Sequence, residues 1–361
     1  MSDIESPAVS NVESAAVRGL EPPVRSLEPR PWERRRILIT AVCTAGGVGL
    51  FAYVVRRAGV DQVVSGIQRV GWGLTAILAL QGVRFAVRTQ CWRLCMPQNT
   101  HLRFARAFSA FLAGDAIGSV TPLGLLASEP TKVFLTRHHL ATWDSVASLA
   151  IENLVYAASV AAMVAIGLVI VLATVPLSSS WWWGLVAGLA LLVSAVFRMR
   201  VLIRRAADTG SSGRSRWREQ LERLRLAIAE FSDTHQERLW AAFGLDAIFH
   251  TVAVVEVFLT LRWLLGDQSP TLTQAVAFEA LNRVVTVVFK FVPFRVGVDE
   301  AVTGAAAPLL AVDPAAAVAL AVVRKVRNLF WSFVGLAVIV AHPAEAVRET
   351  RRRGGEDEPR P

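Results

Sequence analysis

A chain of 361 residues that is 53% hydrophobic, with 11 Trp and a mean hydropathy of +0.45, carries too little charged surface for a soluble protein of its length and reads as a membrane protein. The net charge of +9 is almost wholly arginine, since Lys132, Lys290 and Lys325 are the only lysines. Two sources of that bias fit, a GC-rich genome and contact with the anionic lipid heads of a cytoplasmic leaflet; no nucleic-acid partner is expected. Cys43, Cys91 and Cys95 have no His or further Cys at ligand spacing, so they read as free thiols, and neither metal nor cofactor is expected.

Residues 1–36 are polar, contain Pro22, Pro23, Pro29 and Pro31 and no apolar run, and read as a disordered cytoplasmic tail. Arg34 to Arg36 abut the first apolar stretch, Ile37 to Val55, nineteen uncharged residues that suffice for a retained span and place the N-terminus in the cytoplasm. The second span is Trp72 to Trp92, with Arg84 and Arg88 on one face. Residues 104–140 form a broken element. Phe104 to Val120 shows Arg106 and Asp115 on one side, Thr121-Pro122-Leu123-Gly124 ends it, and after Glu129-Pro130 the chain continues from Thr131 to Leu140. A hairpin that enters from the cytoplasm and returns fits this pattern, and so do two full spans.

Ser145 to Val175 makes the next span and contains Glu152. Pro176 to Ser180 turns outside, Trp181 to Trp183 form an interfacial belt, and Gly184 to Phe197 crosses back. Arg198 to Arg225 is the most basic loop. Trp217, Leu221, Leu224, Ile228 and Phe231 recur at helical spacing there, which suits a surface-lying amphipathic helix or a solvated linker helix. Leu239 to Leu265 spans outward with Asp246, His250 and Glu256. Gly266 to Pro270 turns, and Thr271 to Leu310 is a second broken element whose first arm shows Glu279, Asn282, Arg283 and Lys290. Asp313 is suited to cap the last span, Ala315 to Ala341, with Pro314 at its first position. From Arg348 the chain reads as a charged, disordered stub.

The two breaks echo each other. Pro122 to Glu129 reads PLGLLASE and Pro293 to Glu300 reads PFRVGVDE, each with glutamate seven residues after proline. Roughly thirty residues beyond each proline stands a polar cluster, Glu152-Asn153 in one half and Arg324-Lys325 with Arg327-Asn328 in the other. The expected fold is all-α: a polytopic integral membrane protein of about six full spans plus two re-entrant broken-helix hairpins in inverted repeat, or of eight or more spans. The expected divisions are a tail at 1–36, a first membrane half at 37–197, a basic cytoplasmic loop at 198–238, a second membrane half at 239–341 and a cytoplasmic tail at 342–361.

These motifs resemble the flippase-like family of membrane proteins related to the membrane region of lysylphosphatidylglycerol synthases, over roughly residues 37–341. Arg88 and Trp92 match the arginine and tryptophan that end the helix before the family's first break. Pro122, Ala127, Ser128, Glu129 and Lys132 resemble its Pro, Gly-Gly-Glu and basic residue. Pro293, Gly297 and Glu300 match the second motif, while Phe294 and Arg295 replace a glycine pair where backbone would approach a ligand. The family includes archaeal proteins linked to dolichol-phosphate glycosylation and bacterial ones linked to hopanoids. Members with lysyl-transfer activity carry it in a separate soluble domain, so the resemblance implies a non-enzyme here.

An ionisable group at bilayer depth costs roughly 2.5 to 3.5 kcal/mol on insertion scales and therefore faces a cavity or a partner. Arg84, Arg88, Lys132, Arg283, Lys290, Arg295, Arg324 and Arg327 are the candidate headgroup ligands, since arginine suits bidentate phosphate contacts. Internal pairing is the competing role: Arg283 with Glu279, and Arg295 or Arg324 with Asp299 or Glu300. Glu129, Glu152 and Glu300 are candidate gating or proton-coupling groups, with helix capping as the plainer role of Glu129 and Glu300. Pro122, Gly124, Pro293 and Gly297 are the candidate helix breaks. His250, with Asp246 one turn before it, is a second titratable pair. No HExxH, P-loop or G-x-S-x-G pattern occurs, so no catalytic residue is expected. The chain reads as a cell-membrane transporter of an anionic phospholipid or a polyprenyl-phosphate-linked lipid between leaflets, with both termini cytoplasmic. The alternative is a non-transporting accessory protein that binds lipid and supports a lipid or glycan synthase partner.

Overall fold

The computed structural model describes residues 53, 56, 60–100, 102–121, 124–174, 216–290 and 292–356, and among them there are helices and no strands. The expected tail at 1–36, the span at 37–55 apart from Tyr53, the span at 184–197, the tryptophan belt and Pro122 lie outside the described residues.

In chain order the helices are α1 (Val60–Val70), α2 (Gly73–Leu94), α3 (Phe104–Val120), α4 (Leu125–Thr136), α5 (Thr142–Thr174), α6 (Arg216–Thr234), α7 (Gln236–Leu265), α8 (Leu272–Val288), α9 (Val298–Ala306) and α10 (Pro314–Glu356). Short 3₁₀ turns stand at Pro293–Arg295 and Pro308–Leu310. Among the described residues α5 and α7 are the two helices long and apolar enough to cross a membrane. Helix α2 carries Arg84 and Arg88 at the cost of that apolarity, and buries both.

Several boundaries have visible chemical causes. The Thr271 hydroxyl accepts from Gln274 N–H while the Gln274 side chain accepts from Thr271 N–H, a reciprocal cap that starts α8. Asp313 Oδ2 accepts from Ala316 N–H at 2.9 Å, and Pro314 opens α10 where its missing N–H costs nothing. Helix α4 departs from the expected second arm at 131–140: it begins at Leu125 and runs through Pro130. Helix α1 was not anticipated, and α10 continues to Glu356 through part of the segment read as a disordered stub. In the basic loop, α6 docks by its end, Ile228 and Phe231 packing against Cys95, Ile151 and Leu239, while Leu221 stays exposed.

The helices pack in a pattern that survives exchanging the two halves. Helix α2 lies on α7; α3 packs on α10 as α8 packs on α5; α4 meets α5 as α9 meets α10; α2 meets α3 as α7 meets α8. Alanines at 275, 277, 280, 315–317, 319 and 321 are buried, small enough to let backbones approach closely. Gly167 has the same use: a Cβ there would run into Ala280 of α8. The arms of the first broken element pack on each other, since a Cβ on Gly114 would lie 2.6 Å from Lys132 Cγ of α4. Helix α3 also touches the Pro293–Arg295 turn of the other half.

Candidate functional site

A cavity of about 1020 Å³ opens among α2, α3, α4, α5, α8 and α10. Its wall includes Arg84, Arg88, Lys132, Arg283, Lys290, Arg295 and Arg327, brought from four stretches far apart in sequence. Arg324, the remaining candidate, is buried but does not line it. Glu129, Gly124, Asp115 and Tyr156 line it as well, whereas Glu152, Glu300 and Gly297 stand outside the lining.

Two carboxylates each serve two arginines. Glu256 of α7 takes Arg84 at 3.2 Å and also pairs with Arg327 of α10. Glu279 pairs with Arg283 one turn along α8 and takes Arg324 at 3.4 Å. Of the expected pairing of Arg295 or Arg324 with Asp299 or Glu300, Arg295 takes Asp299, whereas Arg324 takes Glu279 instead. Two other cations of the cavity pair one to one. Arg88 meets Glu152 at 2.5 Å, and Lys132 meets Glu129 at 3.0 Å with its ammonium 4.2 Å from the Phe111 ring. Among the described residues Lys290 has no ion pair; it is exposed at the cavity. Two carboxylates shared by four arginines, with a free lysine beside them, leave the site cationic.

The geometry supplies unused donors. The Nε atoms of Arg84 and Arg88 are buried and make no hydrogen bond among the described residues. A buried donor left unmatched costs about 1–3 kcal/mol, which an anionic oxygen would recover. Tyr156 organises the middle of the wall: Arg88 lies 3.6 Å above its ring and its hydroxyl accepts from Arg283 Nη1 at 3.1 Å.

The second break is clamped. Lys325 donates to the Arg295 carbonyl at 3.0 Å and pairs with Glu300 at 3.0 Å and Asp299 at 3.7 Å, while Arg295 donates to Asp299 at 3.1 Å. Gly297 takes φ +81°, and Glu300 Oε2 accepts from its N–H at 2.8 Å at the start of α9. Glu300 therefore has the capping role. Glu129 does not: α4 starts four residues earlier, at Leu125, and Glu129 meets Lys132 instead. Phe294 and Arg295 take φ of 50° and 49°, a left-handed backbone unusual for side chains of their size. Pro293 opens the turn.

Sequence reasoning passed over Tyr156 and the sharing role of Glu256. Tyr156 is one of two tyrosines in the chain, and it stands one turn after Glu152. Glu256 sits in a largely apolar span, which is itself a sign of an opposed cation.

A family model described as Lysylphosphatidylglycerol synthase TM region matches residues 36–335. No curated protein and no solved structure matches the chain.

Proposed function

The chain belongs to the lysylphosphatidylglycerol synthase TM region family, and from that premise we propose that it moves an anionic phospholipid or a polyprenyl-phosphate-linked lipid between leaflets of the cell membrane. Membership makes it a polytopic helical membrane protein. The observation that carries the function is a cavity lined by seven cations, of which Arg84 and Arg327 share the single carboxylate Glu256 behind the wall and Arg283 shares Glu279 with the buried Arg324, so that the site holds surplus positive charge beside unused guanidinium N–H groups. A phosphate fits such a site through bidentate contacts, and its acyl or prenyl tails stay in lipid.

The two broken elements are re-entrant on this reading. At 1.5 Å per residue α3 and α8 reach roughly 25 Å, α4 roughly 18 Å and α9 roughly 14 Å, against a hydrocarbon core of about 30 Å. The exchange of packing partners between halves supports a structural repeat. Inverted by the positive-inside pattern, its halves offer one midplane site to the two sides in turn, with both termini cytoplasmic.

The test is leaflet exchange in liposomes carrying the purified protein, with a panel of labelled phosphatidylglycerol, other anionic phospholipids and polyprenyl phosphates. Exchange of one lipid class, lost in Arg283→Glu while the protein still inserts, supports the function. Binding of lipid without exchange of any class replaces it with the accessory role beside a lipid-synthesis enzyme.

A further inference from the structure

Behind the cavity wall, between α5 and α7, lies a titratable cluster that the headgroup site does not use. Asp246 and His250 stand one turn apart on α7, and Ser159 faces both from α5. Ser159 Oγ is 3.1 Å from Asp246 Oδ2 and 3.2 Å from His250 Nε2. Asp246 is wholly buried and His250 nearly so, and neither has an ion pair among the described residues. Asp246 Oδ1 and His250 Nδ1 are buried atoms with no hydrogen-bond partner there.

A hydroxyl has one proton. The Tyr156 carbonyl, 2.9 Å from Ser159 Oγ, competes for it, but a carboxylate is the stronger acceptor, so Ser159 donates to Asp246. The proton between His250 and Ser159 then belongs to Nε2, which leaves Nδ1 a bare basic nitrogen. A buried carboxylate without a counter-charge is costly, and one added proton removes that cost. Bound at Nδ1, it makes an imidazolium that faces the Asp246 carboxylate across Ser159. Alternatively the Nε2 proton passes to Ser159 Oγ as the Ser159 proton passes to Asp246 Oδ2. That leaves a neutral Nδ1–H imidazole and a carboxylic acid, with no other atom changed.

The surrounding groups do not fill this role. From α2 come Arg84, Arg88 and Cys91, from α5 Glu152 and Tyr156, and from α8 Glu279 and Arg283. Glu256 and Arg327 of α10 lie farther along α7. Helices α1 and α6 meet α7 near its ends, where Arg69 donates to the Leu264 carbonyl and Phe231 packs beside Leu239. Glu152, Glu256 and Glu279 already hold arginines.

We propose that Asp246, Ser159 and His250 form a one-proton binding site whose occupancy is felt in the cavity through Tyr156. The Tyr156 ring lies parallel to the His250 imidazole at 6.3 Å between centroids, and it carries Arg88 on its face and Arg283 on its hydroxyl. The proton site stands by itself; only its link to the headgroup rests on the function proposed above.

The experiment is a pH titration of ¹⁵N-histidine spectra of the full chain in nanodiscs, with the His250 signals identified by their loss in His250→Gln. The expected result is a one-proton transition whose midpoint falls by about one pH unit, a tenfold loss of proton affinity, in Asp246→Asn. Ser159→Ala, which removes one oxygen, tests the bridge should Asp246→Asn fold poorly, and is expected to lower the midpoint too. A His250 signal that shows neither an imidazolium nor a change of tautomer throughout, or a midpoint indifferent to both variants, overturns the site. Replacing phosphatidylcholine by phosphatidylglycerol in the nanodisc is expected to raise the wild-type midpoint, because an anion beside Arg88 and Arg283 cancels their repulsion of the imidazolium. An unchanged midpoint overturns the link through Tyr156. A titrating His250 in a protein that exchanges no lipid in liposomes leaves the proton site standing and removes the transport function alone.

Discussion

Arg84 on α2 and Arg327 on α10 reach one carboxylate, that of Glu256, so two segments more than two hundred residues apart are joined by a shared charge. Removing the shared partner strands two buried cations. Glu256→Gln is expected to cost about 3–5 kcal/mol of stability, the usual consequence of breaking a buried pair from one side. Arg327→Leu is expected to cost less, since Arg84 then has Glu256 to itself. Unfolding of both variants in nanodiscs measures the difference.

The exposed lysine separates binding from folding. Lys290 makes no ion pair among the described residues, so Lys290→Gln is expected to leave thermal unfolding within about 0.5 kcal/mol of wild type. Its effect appears in lipid affinity. Loss of a charged hydrogen bond worth about 1.5–3 kcal/mol weakens binding roughly tenfold or more. Arg283→Lys, which keeps the charge but loses the fork that serves Glu279 and Tyr156 together, is expected to weaken both affinity and stability. Lipid titration and thermal unfolding of the two variants side by side check this split.

Phe294 tests the strain at the second break. At φ 50° it holds a conformation that costs an L-residue roughly 1–2 kcal/mol, and glycine takes that conformation freely. Phe294→Gly is therefore expected to lose less stability than Phe294→Val, although glycine removes more side chain. Denaturation midpoints of the two variants decide it, and a larger loss for glycine would show that packing of the ring dominates.

Gly167 and Ala280 form a matched contact between α5 and α8. Gly167→Ala is expected to cost about 1–3 kcal/mol by overpacking. The double variant Gly167→Ala, Ala280→Gly moves the methyl group across the interface and is expected to recover most of that loss. The coupling energy from the four-protein cycle reports the contact directly.

What the sequence disclosed follows from what periodicity and cost can encode. The broken elements, the Asp313 cap and the pairing of Arg283 with Glu279 depend on neighbours within a few residues, and each was legible. Seven of the eight candidate cations line one cavity, because charge in an apolar helix has few places to go. The partners of Arg84 and Arg324 were not legible: Glu256 and Glu279 are 172 and 45 residues away, a matter of packing that no local pattern carries. A capping role for Glu129, one of those its likeness to Glu300 leaves open, fails because α4 begins earlier than the expected second arm, and a shift of one turn turns a cap into a lysine partner. Tyr156 escaped because a tyrosine in an apolar span costs little and so announces nothing.

Helix α3 leans on the Pro293–Arg295 turn, and that turn is held from behind by Lys325 of α10, on which α3 also packs. Three parts of the molecule thus form a closed ring of contacts, so a displacement of any one of them bears on the other two. A change confined to the Arg295 carbonyl and its lysine is therefore expected to reach α3, in the other half of the chain.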